Sequence, residues 1–150
     1  IVCTHGHNDH INAAVALAEA IGAPILLHPD DTMLWDAIHP GHPVDGSLAD
    51  GQELRVGATT LGVLHTPGHS PGGCCLHDAA GEVLFSGDTL FNGGPGATGR
   101  SFSDRPTILR SIADRLLALP AATVVHTGHG DDTTIGAEAC GVREALAAEA

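Results

Sequence analysis

The sequence predicts a single α/β domain, and three observations carry that expectation. Apolar residues at Ile1 to Cys3, a helical pattern over Ile11 to Ile21 and a second apolar run at Ile25 to Leu27 make a strand-helix-strand unit, whose crossover implies parallel pairing. From Gly51 to Ser86 the texture changes to short strands separated by glycine turns. Beyond it lies the clearest helix, Pro106 to Leu119, followed by another short apolar strand at Thr123 to Val125. With 150 residues, 43% of them hydrophobic, the chain fits one domain over 1–150 that can bury a core.

In order along the chain, Ile11, Ala14, Val15, Ala18 and Ile21 share one helical face, Gly22 stops that helix and Pro24 prevents its continuation. Asp31 to Ile38 reads as a short helix with Met33, Leu34 and Ile38 as its apolar contacts. His39 to Ser47 is a Pro- and Gly-rich surface loop in which His39 and His42 are expected to be solvated. Leu54 to Val56 and Thr59 to Leu64 are strands, and Cys74 to His77 and Glu82 to Ser86 flank a hairpin turn at Asp78 to Gly81. Phe91 to Ser103 is a glycine-rich loop without the spacing of a phosphate loop. In the helix that follows, Ile108, Leu109, Ile112, Leu116 and Leu119 form the buried stripe, capped by Ser103 or Asp104. The last helix, Gly136 to Ala148, is rich in Ala and Glu and is expected to be peripheral.

Charge narrows the partners. Eighteen acidic residues stand against six arginines, lysine is absent, and the formal charge is −12. Binding of nucleic acid needs a basic surface, so it is not expected. No apolar run reaches the length of a membrane span, so no membrane partner is expected either. A small-molecule substrate and a cytoplasmic location are the expectation, with the oligomeric state left open. Cys3, Cys74, Cys75 and Cys140 form no Cys-x-x-Cys pair and read as small buried residues. The chain opens at Ile1, without Met and already within an expected strand, so more chain is expected upstream.

Eleven histidines in a chain with only three Phe and one Trp need a use, and imidazole is the commonest metal-ligating side chain. Thr4-His-Gly-His-Asn-Asp-His10 places three histidines and a carboxylate within seven residues. On a strand, His5 and His7 would point the same way, while Asp9 and His10 follow where the chain leaves it. That is half of a two-metal site. The other candidates also sit at strand ends or in tight turns: His69 within Thr66-Pro-Gly-His-Ser-Pro-Gly-Gly73, Asp88 after an apolar strand, and His129 between two glycines. His28 and His126 read as structural or supporting residues.

These motifs, with Ser86-Gly-Asp-Thr-Leu-Phe91 and Gly128-His-Gly130, resemble the metallo-β-lactamase superfamily, and within it the glyoxalase II-like hydrolases. The resemblance covers nearly the whole chain. It implies a four-layer αβ/βα sandwich, with the strands that open the fold in relatives lying upstream of Ile1. It further implies two divalent metal ions, zinc first with iron or manganese as alternatives. One would be held by His5, His7 and His69, the other by Asp9, His10 and His129, with Asp88 bridging them together with a water or hydroxide. The implied activity is hydrolysis of a small thioester of the hydroxyacyl-thiol kind, with Asp9 and Asp88 as the catalytic carboxylates. A mononuclear iron persulfide dioxygenase held by His5, His69 and Asp88, or a lactone hydrolase of the same fold, is the alternative. Glyoxalase II enzymes contact the thiol with lysine and tyrosine, which this chain lacks, so Arg100 and Arg105 are the candidates for a substrate carboxylate.

Overall fold

The computed structural model describes residues 1–149. Four layers are held together by three apolar interfaces. The middle of the molecule is a six-stranded sheet built from β3 (Glu53–Val56), β4 (Thr59–His65), β5 (Cys74–Asp78), β6 (Val83–Gly87), β9 (Val124–Thr127) and β10 (Thr133–Thr134), in the order β10-β9-β6-β5-β4-β3. All neighbours are antiparallel except β6 and β9, which run parallel and are joined through the helices α4 (Arg105–Ser111) and its continuation over Ile112–Leu116. A second, smaller parallel sheet pairs β1 (Leu26–Leu27) with β2 (Gly46–Ser47), and Val2 bridges to Leu26 on its other side. The strand-helix-strand unit is therefore present, but its first strand amounts to a single bridge. A small hairpin of β7 (Leu90–Phe91) and β8 (Gly94–Pro95) lies in the glycine-rich loop.

Each interface follows from the alternation of side chains across a strand. Adjacent Cys74 and Cys75 face opposite ways. Cys75, Leu84 and Val125 pack on Ile108, Leu109, Ile112 and Leu116 of the α4 segment and on Ile135 and Val142 of α5 (Ile135–Ala148). Cys74, Val63 and Leu76 pack with Leu48, Val2 and Leu26 between the two sheets. Cys3, Ile11, Ala14, Ile25, Leu27 and Trp35 fill the space between the small sheet and the helices α1 (Asn8–Ile11), α2 (Ala14–Ile21) and α3 (Thr32–Ile38). Fully burying a Leu or Ile contributes about 1.5–3 kcal/mol, so the wholly buried stripe Ile108, Leu109, Ile112 and Leu116 fixes the α4 segment firmly. A bond from Leu117 N to Ile112 O, 2.9 Å long, widens one turn of that segment and ends it before Pro120.

Several expectations need correction. The helix over 11–21 is two helices, with Gly22 in the left-handed conformation as the stop (φ 67°). On α3 the buried contact is Trp35, while Met33 and Ile38 are exposed. His39 is not solvated: its Nε2 lies 2.8 Å from Ile11 O and its ring packs on Trp35. Helix α5 is not peripheral, because Ile135 and Val142 stand seven residues apart on one face and are both buried in the main core. Cys3, Cys74 and Cys75 are buried as expected, but Cys140 is exposed. Asp104 is the residue that caps α4, accepting from Thr107 N at 2.9 Å.

Candidate metal centre

Five histidines and two aspartates converge on one rim of the sandwich. His5 and His7 arrive on a bent segment rather than a strand, and α1 begins directly after them, carrying Asp9 and His10. Their convergence thus comes from a turn and not from the alternation expected of a strand. His69 is presented by the Pro-Gly turn that joins β4 to β5, Asp88 by the end of β6, and His129 by the end of β9. The parallel pairing of β6 with β9 brings those last two ends side by side, as it does for sites on other α/β folds.

The polar atoms form two groups, linked by a set in which His5 and His10, with ring centroids 4.1 Å apart, meet Asp88. His7 Nδ1 faces His69 Nε2 at 2.9 Å, with His5 beside them; the His5 ring centroid is 4.8 Å from that of His7 and 4.9 Å from that of His69. His10 Nε2 faces His129 Nε2 at 3.0 Å, and Asp9 Oδ2 lies 3.1 Å from His129 Nε2. Asp88 stands between the groups: Oδ1 is 3.2 Å from His10 Nε2 and Oδ2 is 3.5 Å from His69 Nε2. The contact with His10 is close but poorly aligned, so Asp88 Oδ1 remains a buried oxygen without a proper donor. His5 Nε2 is likewise buried and without a partner.

Electrostatics agree with a site arranged for cations. Burial, followed by the neighbouring His10, lowers the His5 pKa to about 2, so this ring is neutral and its lone pair is available. Burial and then His69 lower that of His7. Burial alone would raise Asp88; its contact with His10 and the imidazoles around it outweigh that and keep the carboxyl ionised. Contact with Asp88 raises His10, against the effect of its burial. His69 Nδ1 lies 2.8 Å from Ala97 O, which places the ring proton there and leaves Nε2 bare. The unpartnered His5 Nε2 and Asp88 Oδ1 cost free energy unless something accepts their lone pairs. Divalent ions do so, and the donor set of imidazole and carboxylate suits zinc, iron or manganese. His5, His7 and His69 would hold one ion, and Asp9, His10 and His129 the other, with Asp88 shared.

A third group, His28, Asp30 and His65, lies nearby. Its two rings are stacked at 4.0 Å with their planes 10° apart, so no single ion can lie in both ring planes. His28 Nδ1 instead accepts from Asp30 N at 3.3 Å, and His65 Nε2 lies 2.9 Å from Pro71 O. These are structural histidines. His126 is one as well, paired with Asp132 at 2.8 Å. Arg105 lies with its Nε 3.0 Å from Glu149 Oε1, which commits it to the α4–α5 contact, while Arg100 is exposed in the loop three residues beyond Ala97. Sequence reasoning missed Asp31, which is wholly buried beneath the site, and Phe91, whose ring lies 6.3 Å from that of His129.

The layers and the donor set define a metal-binding αβ/βα sandwich. A family model described as "Metallo-beta-lactamase superfamily" matches residues 1–129, and the chain belongs to that superfamily. Among curated relatives, a Bacillus subtilis protein named "Probable metallo-hydrolase YqgX" is 36% identical, covering 90% of this chain and 70% of its own. A Haemophilus influenzae protein named "Hydroxyacylglutathione hydrolase GloC" is 34% identical, covering 92% and 71%. Among solved structures, TTHA1623, in a di-iron-bound form, is 39% identical with a TM-score of 0.83, covering 93% of this chain and 73% of that one. Among the described residues no helix is long and apolar enough to cross a membrane.

Proposed function

We propose that this metallo-β-lactamase superfamily hydrolase cleaves a small thioester of the hydroxyacyl-thiol kind, using two divalent metal ions. The observation that carries the reading is the pair of converging donor groups with Asp88 between them. Two ions held there would lower the pKa of a shared water and polarise a scissile carbonyl. The chain's own residues supply the rest. Asp88 keeps both donor groups in register. Asp9 is the outermost carboxylate, exposed on the open side of the cluster and 3.1 Å from His129 Nε2; there it can orient the attacking water and take up its proton.

Leaving-group chemistry supports a thioester over an oxygen ester. A thiol with a pKa of about 8.5 departs readily as thiolate, whereas an alkoxide needs a proton donor. Support also comes from the Haemophilus influenzae relative, named as a hydroxyacylglutathione hydrolase. Arg100, on the loop beyond Ala97, is placed in this reading against a substrate carboxylate, with the cytoplasm as the site of action.

The test is hydrolysis of a hydroxyacyl thioester by the protein as purified, after chelation, and after return of zinc, iron or manganese. Activity should vanish on chelation and come back with metal. Full activity in metal-free protein, or no thioester cleavage by protein carrying two metal equivalents, would sink the reading.

A further inference from the structure

We propose that Asp31 is the positioning residue for the His5–His7–His69 half of the metal centre, an inference that rests on the metal-binding reading above. The two halves differ in how they are assembled. Asp9 and His10 share one short helix, and His129 meets both directly. His69, by contrast, lies 62 residues from His7 on a separate turn. Something must hold that turn against the first motif, and Asp31 does so.

Its carboxylate is wholly buried and accepts three hydrogen bonds. Oδ2 accepts from Gly6 N at 2.7 Å and from Ser70 Oγ at 2.7 Å, and Oδ1 accepts from Gly72 N at 2.6 Å. Gly6 lies between His5 and His7, Ser70 directly follows His69, and Gly72 closes the same turn. One side chain thus ties the backbone beside two ligands to the turn that carries the third, and none of its three hydrogen bonds goes to a ligand side chain.

The backbone packs closely at both glycines. A Cβ on Gly72 would come within 2.8 Å of Asp31 N, and one on Gly6 within 2.9 Å of Leu34 Cβ. Among the described residues Asp31 has no cationic partner, and a buried carboxylate without one costs free energy that an apolar residue would not. That cost is offset by placing the ligands, the role that groups behind metal ligands commonly serve.

The proposal is tested with Co²⁺ titration of the full chain, following the visible absorption bands and competition with a chelator. The wild-type protein should bind two equivalents. Asp31→Asn, which replaces one acceptor oxygen with a donor, should weaken one equivalent by about tenfold or more and leave the other within about twofold. In a His129→Ala background, where the first half alone remains, Asp31→Asn should weaken the single remaining equivalent by the same factor. Ser70→Ala removes one donor of the three and should weaken the same equivalent by a smaller factor; it decides the matter if Asp31→Asn does not fold. Two equivalents bound by the variants as tightly as by wild type, or both weakened alike, would overturn the positioning role and leave the metal reading standing. No Co²⁺ uptake by wild-type protein would overturn both.

Discussion

At the scale of the residue, burial decides which groups can react. Desolvation pushes the thiols of Cys3 and Cys75 up to about 11 and that of Cys74 to about 12, so they stay protonated and hidden. Cys140 is the exposed thiol, held above its usual range by the Glu144 carboxylate beside it. A thiol-reactive chromogenic reagent should therefore modify one cysteine per native chain and four after denaturation; two or more in the native protein would contradict the packing. His28 makes a second prediction. Its burial, and then the charge of His65, lower its pKa below 6.5. Above pH 6.5 the ring is neutral in both folded and unfolded chains, and it has no effect on the pH dependence. As pH falls below that value the unfolded chain takes up the proton first, so stability declines until the folded ring titrates. His28→Asn, which keeps an acceptor for Asp30 N, should flatten the loss of stability as pH falls below 6.5 in chemical denaturation. An unchanged slope would refute that assignment. Asp50 acts in another window: burial would raise its pKa, but bonds from His65 N and Arg115 lower it, so it contributes stability above pH 3.8 that is lost as pH falls below that value.

At the scale of the element, the turn at 66–73 is held rigidly from both sides. Asp104 N donates to Gly68 O at 2.7 Å and Ser111 Oγ donates to Pro67 O at 2.7 Å, so α4 braces the turn that presents His69. Gly68 adopts φ of +132°, and a Cβ there would fall 2.3 Å from Ile108 N. Gly68→Ala should cost at least about 2 kcal/mol of stability through strain and overpacking and should weaken metal binding as well. A melting temperature and a metal titration equal to wild type would show that the turn tolerates movement. The strands and α4 were legible because apolar runs, glycines and prolines mark them locally. Asp31 was not, because an aspartate next to another at a helix start reads as a cap, and its burial depends on Gly6, Ser70 and Gly72, which are distant in sequence. The burial of α5 was half-visible: Ile135 and Val142 lie seven apart, but the alanines between them dilute the stripe. The ligands were legible through histidine density, although the geometry that gathers His5 and His7 turned out to be a bend.

At the scale of the whole molecule, the centre crosses layers. His5, His7, Asp9 and His10 belong to the small-sheet half, while His69, Asp88 and His129 come from the ends of the six-stranded sheet. Ions bound there would clamp the two halves together, and ligands that bind only the folded state stabilise it by mass action. Free metal at a hundred times its Kd should add about 2.7 kcal/mol to stability for each ion bound, seen as a melting temperature that falls on chelation and recovers on adding zinc. An unchanged melting temperature, with metal loss verified by elemental analysis, would show that packing alone joins the halves.

The spacing of the ligands along the chain has a consequence in time. A ribosome releases His5 and His7 first and His69 62 positions after His7, whereas His129 follows His10 by 119. The three histidines of one half-site exist as soon as the β4–β5 turn has been made, with Asp31 already in place and Asp88 to follow at the end of β6. The other half-site must wait for the end of β9. Synthesis itself would therefore set an order of loading, in which the first group of donors is available before β9 is made and the second only after it.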